Sequence, residues 1–460
     1  MADLMGSMSI ALGALKNNQE ALDVTTNNIA NQNTPGYSRQ RVNFSEASPI
    51  QYGNLQFGSG AQVDNIQSIR DQVLEFRINA ETGRQSSLES FLQPMQQLQA
   101  GFNEATGTGL QSSISSFFNS LTQLSTNPAN VPMRQNVLTA AQGLTQAFNN
   151  ASSNLTTMRA TQDQQVPTVV QQINTLASSI AQLNSRISQF SAGGGNSGVL
   201  EDQRNQLIHQ MASLINVTMV DGGHGTISVS TAMGAALVVG QQSFALKTAA
   251  NAQGLQDIQA SDGTSLTAAI DAGQLGGILK VRDQEIPQLQ TKLDTMANGI
   301  ATAVNAAHTA GIDLNGNPGT NLFTVPATVA GSAAGIKVNI TDPKLIAASL
   351  DGTVGDNANA LTLSKLQGQN IVAGQTPVDY YSNTVSQLGS DIQQATIESN
   401  TQSAVVQQLQ NQRNSISGVS MDEEAANLVR FQRAYQAAAK VVTTIDQMTQ
   451  TVLNMGVGGA

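Results

Sequence analysis

At 460 residues the chain exceeds what one hydrophobic core organises, and it reads as roughly two to four domains. Charged residues make up 11%, the formal charge is −10, and no basic stripe offsets that balance, which excludes general nucleic-acid binding. With no Cys, no Trp and 4% aromatics, disulfides and thiol chemistry are excluded, and the cores must be built from Ala, Leu, Ile, Val and Met.

The chain opens "MADLMGSMSIALGALKNNQE", with Asp3 before its first cation, Lys16. A secretory leader needs a basic region ahead of its apolar run, so none is expected. No apolar run approaches the roughly 20 residues of a membrane span. The expectation is a cytosolic chain, or one exported without a cleaved signal.

Met8, Leu12, Leu15, Gln19, Leu22, Thr26 and Ile29 follow a 4, 3 alternation, the spacing of a heptad seam. A helix over 8–30 would extend about 35 Å. Asn31 or Asn33 is expected to end it in the left-handed conformation. Thr34-Pro35-Gly36-Tyr37 then reads as a type II turn, and a strand-like alternation follows it.

Farther along, 66–101 and 131–190 read as long polar helices, the second interrupted at Pro167. "SAGGGNSG" (191–198) reads as a flexible break, and 200–214 as a helix. "NVTMVDGGHGTISVS" alternates on both sides of a Gly-rich turn at 221–225, the pattern of a β-hairpin. "AALVVG" and "SFALKT" continue in strand character. Helix returns over 275–308, "GIDLNGNPGTNLF" is turn-rich, "GIKVNITDP" is strand-like, and helix dominates 356–415. At the end, Ser420 and Glu423 read as a capping box, with Asp422, Glu423 and Glu424 in a first helical turn where the dipole favours anions. Leu428, Phe431, Tyr435, Ala438, Val442, Ile445, Thr449 and Val452 form a second heptad seam, whose register extended backwards reaches Glu424.

The fold expected is mainly α with a β-rich insert, in discontinuous domains. Residues 1–34 and 420–460 would pair as a terminal coiled coil. Residues 35–213, 276–309 and 351–419 would form a helical bundle, and 214–275 with 310–350 an outer β-rich domain. The terminal helices lack the apolar surface to order alone, so they are expected to gain it by assembly.

Motifs for chemistry are sparse. His209, His224 and His308 have no partner at metal-ligand spacing and read as surface or turn residues. "SAGGGNSG" lacks the Lys-Ser/Thr ending of a phosphate loop. In "DLNGNPG", Pro318 stands where a calcium loop needs Gly, and Thr324 where it needs Glu. No catalytic, cofactor-binding or metal residue is assigned.

"NNIANQNTPGYSRQRV" and "SGVSMDEEAANLVRFQRAYQAAAKVVTTIDQMTQTVLN" resemble the ends of the bacterial flagellar axial proteins. "LEDQRNQLIHQMASLINVTMV", "QLGGILKVRDQEIPQLQTKLDTMANGIATAVNAAHTAGIDLNGNPG" and "DNANALTLSKLQ" resemble the hook-associated members of that family. The resemblance implies a structural, non-enzymatic adaptor between flagellar hook and filament. It would be assembled from many copies outside the cell after type III export without a cleaved signal. Its partners would be further copies of itself, hook protein, a second junction protein on the filament side and a cytosolic export chaperone at the C-terminal helix. Carried onto this chain, the assembly interface would comprise Met8, Leu12, Leu15, Leu22, Ile29, Leu428, Phe431, Tyr435, Val442, Ile445 and Val452. Asn33, Thr34, Pro35, Gly36, Tyr37 and Arg39 would form the interdomain turn. Two other readings are another axial subunit, such as hook protein, and a wall hydrolase with its cleft in 199–350.

Overall fold

The computed structural model describes residues 2–52, 55–102, 109–193 and 195–457, so Met1, the last three residues of the expected coiled coil and Gly194 of the expected break lie outside it. Helix α1 (Ala2–Ala30) starts earlier than the seam requires. It does not end on a left-handed asparagine, since neither Asn31 nor Asn33 has a positive φ. The Asn31 N–H is shared between the Asn27 and Asn28 carbonyls, Asn31 Nδ2 also donates to Asn27 O, and Thr34 N–H donates to Asn31 O. The last turn thus tightens and absorbs its own orphan carbonyls. The expected turn follows: Gly36 has φ +81°, and Tyr37 N–H reaches Thr34 O at 3.2 Å.

Strands β1 (Gln40–Glu46) and β4 (Ala61–Ser68) form an antiparallel ribbon, from Gln40 opposite Ser68 to Glu46 opposite Ala61. Its far end carries a small hairpin, β2 (Ile50–Tyr52) paired with β3 (Leu55–Phe57). The helix expected from Ile66 therefore begins later, as α2 (Gln72–Phe102). Ile66 is claimed by its cross-strand partner Val42, a nonlocal pairing that local periodicity does not register.

Next come α3 (Leu110–Thr126) and α4 (Val131–Ala192), the latter 62 residues long, about 93 Å at 1.5 Å per residue. Asn130 caps α4 by accepting the Met133 N–H. The expected interruption at Pro167 is absent. A helical proline forfeits one intrahelical bond, at a cost of about 3 kcal/mol. Here Val166, Val169, Val170 and Ile173 are buried around it and hold the helix continuous. Helix α5 (Gly198–Leu214) leads into β5 (Val217–Gly223) and β6 (Thr226–Thr231), joined as expected in a hairpin through left-handed His224 and Gly225. Strands β7 (Ala236–Val239) and β8 (Gln242–Ser243) complete a four-stranded sheet in the order β5-β6-β7-β8, and β9 (Lys247–Ala250) pairs separately with β10 (Gln256–Gln259).

Helix α6 (Gly273–Lys280) passes through one π turn at 281–285 into α7 (Ile286–Thr309). Two-residue strands β11 (Phe323–Thr324) and β12 (Lys337–Val338) flank α8 (Ser332–Gly335). Helices α9 (Ala358–Lys365), α10 (Pro377–Ser417) and α11 (Met421–Val457) close the chain.

Two main cores lie along α4. The first gathers α3, the early part of α4, α7 and α9 around Phe117, Phe118, Leu144 and Ile300. The second gathers the later part of α4, α5, α6 and the four-stranded sheet around Ile173, Ile208, Leu237 and Leu275. The expected grouping of 214–275 with 310–350 does not describe these cores. Leu322, Phe323, Ile336 and Ile346 belong to the first, whereas Leu237, Val238 and Ile258 belong to the second. The reason lies in α7. Asn305 pairs with both backbone groups of Phe323, and the His308 ring bridges Thr320 O and Ala347 N–H, so side chains of the helix stand in for a missing strand. His308 is thus fully buried, not the surface residue expected; His224 does occupy the hairpin turn, and His209 is half-buried against Asn79.

Where α4 crosses between the cores, the π turn buries Arg282. Its guanidinium donates to Asp163 Oδ1 and Gln256 O, both at 2.7 Å, and grips Asp283, while Arg159 Nε donates to Arg282 O. Removing one partner of such a buried pair leaves the other uncompensated. Arg282→Ala should cost about 3 kcal/mol in urea unfolding, and Arg282→Lys should recover less than half, because an ammonium cannot fork between two carboxylates.

Candidate terminal junction and assembly surface

The two ends of the chain meet. Helix α1 packs along α11 on one side and against the β1–β4 ribbon on another. On α11, Leu428, Phe431, Tyr435 and Val442 are half-buried and Ala438 and Ile445 buried, whereas Val452 is exposed. On α1 the seam is displaced. Met8, Leu15, Leu22 and Ile29 are half-buried, but Leu12 is 51% exposed and Gln19 and Thr26 are exposed too. Their neighbours Ala11, Asn18 and Thr25 take the covered positions. Alternate seam members are therefore shifted by one residue, and small side chains let α1 lie close between two neighbours. Among the described residues, the exposed large apolar side chains on these helices are Met5, Ile10 and Leu12 of α1, and Met421, Val429, Val441, Met448, Val452 and Leu453 of α11.

Where α1 ends, Asn28 is 1% exposed and uses its full hydrogen-bonding capacity. Its Oδ1 accepts from Tyr37 Oη at 2.8 Å and Gln40 N–H at 2.9 Å; its Nδ2 donates to Gln40 O at 2.9 Å and Glu424 Oε2 at 3.1 Å. Glu424, 2% exposed, also accepts Arg39 Nε at 2.7 Å, and Arg39 Nη1 reaches Glu423. The backbone N–H of Arg39 donates to Ser417 O at 2.8 Å. The expected capping box is thus not what engages Glu423, which turns outward to Arg39; the Ser420 carbonyl accepts the Glu424 N–H.

A second ion-pair cluster backs the first. Asp202 Oδ2 accepts the Ser38 N–H, and Arg70 spans Ser38 Oγ, Asp202, Glu201 and the Gly198 carbonyl. Arg413 pairs with Glu75 at 2.7 Å and donates to Gly36 O. The "GYSRQ" and "LEDQR" blocks, far apart in sequence, therefore meet in one place. Of the expected turn residues, Gly36, Tyr37 and Arg39 are bound into this junction, while Asn33, Thr34 and Pro35 are exposed. Sequence reasoning missed Asn28, Glu424, Arg70, Asp202 and Arg413 as junction residues. The signal available was Glu424 on a hydrophobic seam: a carboxylate there calls for a cation opposite it.

Burial, with the Asp202 and Glu424 carboxylates nearby, pushes the Tyr37 phenol up to about 12. Burial opposes ionisation of Glu201, yet the Ser197 hydroxyl and Arg70 outweigh it and hold the carboxyl below its usual value. Among the described residues, no three or more His, Cys, Asp or Glu side chains converge as metal ligands.

Two outcomes are expected. Tyr37 donates to Asn28 only as the neutral phenol, so its contribution is full below pH 10 and is lost as pH rises towards about 12. One of the five tyrosines should titrate near 12 by ultraviolet absorbance, and Tyr37→Phe should abolish that late phase. Asn28→Asp places a carboxylate against Glu424 and removes two donors. Amide exchange in α1 should accelerate about 100-fold, matching roughly 3 kcal/mol, with both main cores unchanged.

Comparison with known proteins matches these segments. A family described as "Flagellar hook-associated protein FlgK helical domain" matches residues 95–323. "Flagellar basal body rod FlgEFG protein C-terminal" matches 410–455, and "Flagella basal body rod protein" matches 8–37, the two segments that meet at the junction. The solved structure of the flagellar hook junction protein FlgK from Burkholderia pseudomallei shares the fold, with a TM-score of 0.68 at 19% identity over 74% of this chain and 100% of that one. Flagellar hook-associated protein 1 of Salmonella typhimurium is 27% identical over 97% of this chain and 99% of its own. The protein of the same name from Bacillus subtilis is 31% identical over 100% of both chains. On that end-to-end identity, the chain belongs to the flagellar hook-associated protein 1 family.

Proposed function

We propose that this chain is a structural subunit of the junction between flagellar hook and filament, acting by packing and without turnover. The observation that carries the reading is the pairing of its two ends. Long helices from opposite termini are tied at one end by Asn28, Arg39 and Glu424, and they carry exposed Leu12, Val441, Met448 and Leu453 along their length. A paired helical unit with apolar residues left outside is suited to burial against further copies.

On this reading residues 2–34 and 420–457 form a coiled-coil layer lining an axial tube, and the seams with their exposed flanks are its assembly surface. The turn from Asn33 to Arg39 joins that layer to the helical body, and the two main cores of α4 lie outside it. Hook protein would contact the subunit on one side and a second junction protein on the other. An export chaperone would cover α11 before type III export, and the mature position would be extracellular. Full-length relationship to proteins named hook-associated supports this reading over that of the hook subunit itself.

Deleting the gene should leave hooks intact and remove filaments; loss of the hooks themselves would favour the hook-subunit alternative. Val441→Asp with Met448→Asp changes only exposed positions, so monomer stability should move by less than about 1 kcal/mol while filaments disappear. Filaments at wild-type number would overturn the assembly surface.

A further inference from the structure

Helix α1 runs into the junction and α11 runs out of it, so the two are antiparallel from the Asn28–Glu424 bond onward. That bond gives both helices a common zero, and each residue adds about 1.5 Å of height. On α1 the exposed stripe is Met5, Leu12, Lys16, Gln19 and Asp23, spaced 7, 4, 3 and 4. On α11 an exposed stripe passes through Arg430, Ala437, Val441 and Met448, spaced 7, 4 and 7. Both spacings keep to one helical face. Asp23 and Arg430 stand about 7.5 and 9 Å from the zero, Leu12 and Val441 about 24 and 25.5 Å, and Met5 and Met448 about 34.5 and 36 Å. Two heptad stripes keep step once one pair is aligned; here the junction sets the phase, and the phase brings matching chemistry to one height. A carboxylate is level with a guanidinium, Leu with Val, and Met with Met, while Lys16 is level with the small Ala437. Among the described residues neither Asp23 nor Arg430 joins an ion pair, and the Arg430 guanidinium lies 4.7 Å over the Phe431 ring. Within one copy the stripes do not cover each other, since both stay exposed although the two helices pack together.

We infer that the Met5–Asp23 stripe of α1 in one copy is covered by the Arg430–Met448 stripe of α11 in the next copy, side by side at the same height. The apolar pairs supply the burial. The Asp23–Arg430 pair adds little energy at an exposed site, but it selects this register over one slipped by a heptad, which would set Asp23 against Ala437 and Lys16 against Arg430. The two faces differ, so the contact is heterologous, and a succession of such contacts closes into a ring or continues as a helix. It also gives a use to the seam members displaced on α1: Leu12 and Gln19 leave the contact with their own α11 and meet that of a neighbour. Lys440 lies about 100° around the helix from Val441 and takes no part. The inference rests on the multi-copy assembly proposed above and adds which face meets which.

The absence of cysteine makes the test clean. A full chain carrying Leu12→Cys and Val441→Cys, treated in isolated flagella with a short bismaleimide, should give a ladder of multiples of the 48.0 kDa chain. Either single variant should give no ladder. Leu12→Cys with Met448→Cys, about 12 Å apart in height, should give at least tenfold less. In the Leu12/Val441 background, Asp23→Arg or Arg430→Asp alone should cut the ladder at least fivefold, and the two together should restore it to within twofold. Lys440→Asp should leave it unchanged. Filament-bearing junctions that yield only the 48.0 kDa species, or a charge swap that restores nothing, would overturn the inference and leave the assembly reading standing. Should the double cysteine variant not assemble, p-benzoylphenylalanine in place of Leu12 serves instead. Its photoproduct should join that position to 437–445 of another copy, and an adduct elsewhere overturns the inference. The assembly reading itself fails separately, if the labelled wild-type chain is missing from the hook–filament boundary.

Discussion

One amide organises the ends of this molecule. Asn28 sits in the last turn of α1, pairs with both backbone groups of Gln40, and holds Tyr37 and Glu424 with its remaining valences. In a buried site every one of those bonds matters, because a polar group stripped of its partner there loses its hydration with nothing in exchange. Through Asn28 the chain fixes the direction in which the ribbon leaves the helix. Through Glu424 and Arg39 it fixes where the last helix begins. The firm stop after α1 therefore does more than end a helix: it docks the first helix onto the last.

The same device recurs. Asn174 pairs with both backbone groups of Leu246, Asn184 with Ile227 N–H and O, and Asn305 with Phe323 N–H and O. In each case a helical asparagine pairs with both backbone groups of one residue as a neighbouring strand would, on a side where no strand pairs with that residue. That accounts in part for a composition poor in charge and rich in amides. Thin layers of helix and short strands leave many backbone groups at their seams, and neutral side chains pair with them without the desolvation cost of an ion.

Much of this was legible in the sequence. The long helices, the Asp221–Gly225 hairpin, the Thr34–Tyr37 turn and the α11 seam all follow from local period and turn chemistry, which are short-range properties. What local reading misses is decided at long range. Ile66 is a strand residue because Val42 lies across from it. Pro167 stays in a helix because two valines beyond it and one before it are buried. The α1 seam shifts at Leu12, Gln19 and Thr26 because the ribbon covers a second side of that helix. The 310–350 segment joins the first core because α7 supplies the hydrogen bonds its own short strands lack. For the junction, the types of residue were visible in "GYSRQ" and "LEDQR", but their meeting was not, since some 160 residues separate Ser38 from Asp202.

Helix α4 contributes to both main cores and runs unbroken through the crossing where Arg282 clamps it. Two bodies threaded on one continuous rod cannot hinge about a loop; relative rotation would have to bend the rod or strip the guanidinium from its carboxylates. Mechanically the protein's body is a strut, and a load applied at one of its ends is carried to the other as compression or torsion of a single helix.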